Sequence, residues 1–186
     1  MFERVAFDGG PLLFLTSARK YTVVMVDPKS VKIRVLRFHN IEQCRVEVNR
    51  LLKADEDGRL FANGNWTPGQ IFDHLGTWIN WGYVGYPKEI GGPPWMIRVI
   101  LKLFRGYVLK SKAPQGFRMP GVKNGTFAFE HRDIREAAAD LLRGLQRLEA
   151  GAPPFASPAF GMMSREEAVA LHLRHCELHL GYLDVR

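Results

Sequence analysis

A chain of 186 residues is about the size of one domain, since single cores seldom extend far beyond ~250 residues. With 46% hydrophobic, 11% aromatic and 24% charged residues, the composition is that of a folded globular protein and excludes disordered, collagen-like and disulfide-dense classes. The formal charge of +7 favours an anionic partner or surface without naming one.

Residues 1 to about 30 read as a short strand, hairpin or loose arm: Tyr21–Val26 is β-prone, and Asp8-Gly9-Gly10-Pro11 and Asp27-Pro28 are turn signals. The start lacks a basic region and its apolar runs are short, so no secretory signal is expected. From Asn40, a capping residue, Ile41, Cys44, Val48, Leu51 and Leu52 recur at helical spacing and predict a first helix ending near Gly58. Thr67 and Pro68 open a second helix that carries Ile71, Leu75, Trp78 and Ile79 on one face, with His74 among them. After a turn-rich stretch, Pro93-Pro94 opens a third helical stretch over about Trp95–Lys110, and Ala113–Gly125 is expected to be irregular. Ile134, Ala137, Ala138, Leu141, Leu145 and Leu148 mark a long amphipathic helix over His131–Ala150. Ser164-Arg165-Glu166-Glu167 has the form of a capping box and starts a last helix that should run nearly to the end of the chain. These elements predict an all-α bundle, with four long amphipathic helices around one core.

Three of the six histidines, His172, His175 and His179, fall within eight positions of the last helix. At ~100° per residue they share an arc of ~60° with apolar neighbours, which points them inward. His172 and His179 are about 10.5 Å apart along the axis, too far for one ion whose nitrogen ligands lie about 2.0–2.1 Å away. His175 therefore belongs to any metal-binding pair, and the i, i+4 pair His175 and His179 is favoured over the i, i+3 pair His172 and His175. His74 on the apolar face of the second helix is the candidate third ligand. His172 is expected to be core or a neighbour of the ligands, while His39 and His131 are expected at the surface or in caps. Glu177, rotated ~180° from the midline of the pair, is expected to be solvated. Cys44 and Cys176 are 132 positions apart and form no CxxC pair, so inert thiols in a reducing cytoplasm are expected.

The run Gly64-Asn65-Trp66-Thr67-Pro68-Gly69-Gln70-Ile71-Phe72-Asp73-His74-Leu75, followed about 100 residues later by His172-Leu173-Arg174-His175-Cys176-Glu177-Leu178-His179, resembles the DinB-like superfamily, in a branch known as a domain of unknown function. The resemblance spans roughly residues 31–186 and implies a four-helix bundle in which His74, His175 and His179 bind a divalent metal; imidazole ligands accept zinc, nickel, copper or iron, with zinc, nickel or iron expected. It further implies a metal-dependent enzyme, with thiol-dependent transferases that use a low-molecular-weight thiol as the characterised analogy. No catalytic residue is assigned. The helical insertion, about residues 93–125, lies outside the minimal bundle of that superfamily.

The insertion has its own chemistry. Between Arg98 and Lys123 stand seven basic residues and no acidic one, beside an apolar run from Trp95 to Tyr107. A solvated lid is the plain reading; an anion-steering lid or a membrane-surface or protein contact are the alternatives. No helix-turn-helix, zinc-finger or RNA-binding signature accompanies the charge, so nucleic acid is not expected. Arg98, Lys102 and Arg105 interrupt the apolar run, so no transmembrane helix is expected. The reading is thus a metal-dependent enzyme acting on a small anionic or electrophilic molecule; the alternative is a non-catalytic metal- or ligand-binding bundle working as a homodimer or on a membrane surface.

Overall fold

The computed structural model describes residue 27 and residues 29–116 and 132–186. The expected N-terminal arm lies almost wholly outside the described residues, as do His131 and the end of the insertion. Among the described residues six helices and two short strands follow in order: α1 (Ile41–Glu56), β1 (Leu60–Ala62), α2 (Pro68–Val84), α3 (Trp95–Leu103), α4 (Arg105–Val108), α5 (Ile134–Ala150), α6 (Arg165–Leu180) and β2 (Leu183–Val185).

Local chemistry sets the helix starts. Asn40 Oδ1 accepts the Gln43 amide at the head of α1, and Asp133 accepts from Arg135 and Glu136 at the head of α5. That cap starts α5 at Ile134, not at His131 as the apolar pattern suggested. Thr67 and Gln70 form a reciprocal capping box on α2, and Ser164 and Glu167 form one on α6. The first of these fixes the N-terminal end of the helix that carries His74.

Helices α1, α2, α5 and α6 pack their apolar faces into one core. Val48, Leu51, Phe72, Leu75, Leu141, Leu145 and Leu180 are all fully buried within it. The fold is all-α, as its periodicity indicated.

One expectation needs correction. The third helical stretch is not continuous to Lys110: it breaks at Phe104, where φ −101° and ψ 18° leave the helical region, and separates α3 from α4. The chain is helical in α6 nearly to its end, as expected. After Leu180 it forms β2, which pairs antiparallel with β1, Leu60 opposite Val185 and Ala62 opposite Leu183. Leu60 and Leu183 point into the core, so this small sheet closes one end of the bundle. Gly181 lets the turn into β2 form, because a Cβ there would stand 2.8 Å from the Arg34 carbonyl oxygen.

Candidate metal centre

Helix α2 presents His74 and helix α6 presents His175 and His179 to the same point. His74 is buried, the other two are half-buried, and one ligand nitrogen from each lies within 4.8 Å of the others. The Nε2 atoms of His74 and His175 are 3.0 Å apart. Ring centroids are separated by 4.9 Å for His74 and His175, 4.6 Å for His74 and His179, and 4.7 Å for His175 and His179. Two residues on one helix at i, i+4 and a third from a facing helix thus converge as the spacing required.

Burial keeps the α6 imidazoles neutral. Desolvation lowers His175 to about 4 and holds His179 well below the ordinary histidine range, with His175 adding to the effect on His179. A neutral imidazole offers the lone pair that a metal takes. His172 is 4% exposed and lowered to about 3, again chiefly by desolvation, and stands outside the converging trio. It is a core residue beside the site. His39 is exposed, as expected.

The surroundings hold the rings. Trp66, immediately before the α2 cap, stacks on His179 at 5.4 Å with planes 10° apart and lies 4.8 Å from His74. Trp78 stands edge-on to His74 at 6.2 Å and to His175 at 6.1 Å, and continues outward through Trp81 at 5.1 Å. Asp73, next to His74, is buried and bound by Arg132 Nη1 at 2.5 Å, while Arg132 also pairs with Asp140 of α5. This clamp fixes α2 against α5 one residue from the candidate ligand. Neither Arg132 nor the ring packing of Trp66 was read from sequence, because both depend on which turns face each other in space.

Glu177 departs from expectation. It is 6% exposed rather than solvated: it pairs with Arg174 at 2.6 Å and accepts the Phe38 amide. Arg174 in turn donates to the Phe38 carbonyl. The carboxylate is therefore committed to holding the segment before α1 against α6, away from the imidazoles. Cys176 is buried and its thiol meets that of Cys44, which leaves it no part in the metal centre.

Two open clefts lie elsewhere, one beside residues 31–34 and Asp184, the other between residues 33–36, Lys112 and Arg174, and none of the three histidines lines either. Among the described residues no helix is long and apolar enough to cross a membrane. A family model with the description "Protein of unknown function (DUF1569)" matches residues 31–186. No curated protein and no solved structure matches the chain.

Proposed function

Because the chain belongs to DUF1569, a family of unknown function, its site must speak for its chemistry, and we propose that it is a divalent-metal-dependent enzyme of the DinB-like type. The observation that carries this reading is the convergence of three imidazole nitrogens, from α2 and α6, within 4.8 Å. Two nitrogens that each stand about 2.0–2.1 Å from one tetrahedral ion are about 3.3 Å apart, close to the 3.0 Å between His74 and His175. The donor set is all nitrogen and includes two imidazoles kept neutral by burial, which suits zinc, nickel or iron.

His74, His175 and His179 would hold the ion, and a set of three protein ligands is that of catalytic rather than structural sites. Trp66 fixes the ring of His179 by stacking, and Trp78 forms an apolar wall beside His74 and His175. A divalent ion supplies Lewis acidity there, favouring the ionised form of a thiol or water that meets it. The DinB-like resemblance favours the thiol, hence transfer of a small electrophilic group to a low-molecular-weight thiol. Two free buried thiols fit a reducing cytoplasm.

The test is turnover. Protein reconstituted with zinc or nickel is incubated with glutathione, mycothiol or bacillithiol and an electrophile such as chlorodinitrobenzene. The proposal expects conjugation that needs both metal and thiol and is lost in His179→Ala. Metal-loaded protein inert with every thiol removes the transferase assignment and leaves the non-catalytic metal-binding bundle.

A further inference from the structure

Of the fourteen large hydrophobic side chains that stay exposed among the described residues, eight fall between Trp95 and Tyr107. Trp95 is 73% exposed, Leu103 75% and Tyr107 76%, and no residue of α3 is buried. Scattered exposed apolar residues are ordinary, but a contiguous face of them marks a contact surface.

The face is organised. At ~100° per residue, Trp95, Met96, Val99, Ile100 and Leu103 fill an arc of ~140°, with Lys102 about 20° beyond its edge. The other side of the insertion is fastened to the bundle. Arg105 pairs with Glu167 of α6 at 2.6 Å and donates to the Met162 carbonyl at 2.8 Å. Arg37 donates to the Lys110 carbonyl, and Leu109 is buried. These attachments hold the apolar arc of α3 turned outward.

Charge selects what it meets. Residues 91–116 contain Arg98, Lys102, Arg105, Lys110 and Lys112 and no carboxylate. Only Arg105 among them has an acidic partner among the described residues. A second copy docked about a two-fold axis would set this uncompensated basic rim against itself. An anionic lipid surface complements both parts: acyl chains take the apolar arc and phosphates take the ammonium groups, as for helices that lie in the membrane interface. We infer that α3 is an interfacial helix that docks the protein on bilayers containing anionic lipid, with Trp95, Met96, Val99, Ile100 and Leu103 entering the headgroup boundary and Lys102 beside them. The inference does not depend on the metal centre.

Full-length protein sedimented with phosphatidylcholine vesicles, with and without phosphatidylserine, tests it. Binding should require phosphatidylserine and weaken as salt is raised. Leu103→Ser should lower partitioning about tenfold through lost apolar burial, and Lys102→Gln about fivefold through one lost surface charge. Both side chains are exposed, so the circular dichroism of each variant should match wild type. Failure to sediment with phosphatidylserine vesicles, or equal sedimentation of wild type and Leu103→Ser, overturns the inference. So does a dimer in light scattering that Leu103→Ser dissociates, which would assign the face to a second copy. Acrylamide quenching that is the same in wild type and Trp95→Phe without lipid also overturns it, because another part of the chain then already covers the helix.

Discussion

Acid should unfold the metal-free protein through its buried imidazoles, and His172 allows the effect to be sized. Its native-state value is lowered to about 3, against about 6.5 in the unfolded chain. Between those limits the unfolded state binds a proton that the native state refuses, so stability is full above about pH 6.5 and falls as pH drops. Each such histidine costs about 1.4 kcal/mol per pH unit, or about 2 kcal/mol by pH 5. His175, lowered to about 4, acts in the same window, and His179, held well below the ordinary histidine range, acts in the same direction. His172 and His175 alone thus remove about 4 kcal/mol by pH 5, close to the whole stability of a marginal domain. Urea unfolding of chelator-treated protein from about pH 7.5 to about pH 5 should show a steep loss of midpoint. His172→Leu, which removes one of the titrating groups, should reduce the slope. A flat profile in wild type, or an undiminished slope in His172→Leu, would refute the reasoning.

Glu177→Ala should destabilise by about 3 kcal/mol, since it strands Arg174, 8% exposed, without its counter-charge and frees the Phe38 amide; thermal melts of the metal-free protein measure it. Gly76→Ala would place a Cβ 3.0 Å from the Leu141 amide nitrogen and 3.2 Å from its Cα, backbone of α5 that yields only if the helices part. Overpacking of about 2 kcal/mol then outweighs the ~1 kcal/mol gain in helix propensity, for a net loss of about 1 kcal/mol. His74 lies two residues away, so weaker zinc binding by competition with a chromogenic chelator should accompany that loss.

The four bundle helices were legible because burial in a bundle imposes a 3.6-residue repeat, and because Asn40 and Ser164 announce their ends locally. The trio was legible for a related reason: i, i+4 spacing puts His175 and His179 on one face, and His74 follows the repeat of α2. What eluded the sequence depends on tertiary partners. Three-residue strands such as Leu60–Ala62 have no period to read, and β2 exists only because β1 is there to pair with it. Glu177 looks like a solvated residue until Arg174 and the Phe38 backbone are placed around it. The break at Phe104 has no proline to signal it and Gly106 lies beyond it, inside α4, and the Arg132 bridge from Asp73 to Asp140 joins side chains whose neighbourhood no local pattern encodes.

Elemental analysis of protein purified without an affinity tag and dialysed against metal-free buffer bears most directly on the three converging imidazoles. Wild type should carry close to one equivalent of a single divalent ion, while His175→Ala, with the central ligand of the trio removed, should carry little. Wild-type protein that stays metal-free after exposure to zinc, nickel and iron, or a His175→Ala variant that retains the full complement, would contradict the assignment of these residues as ligands.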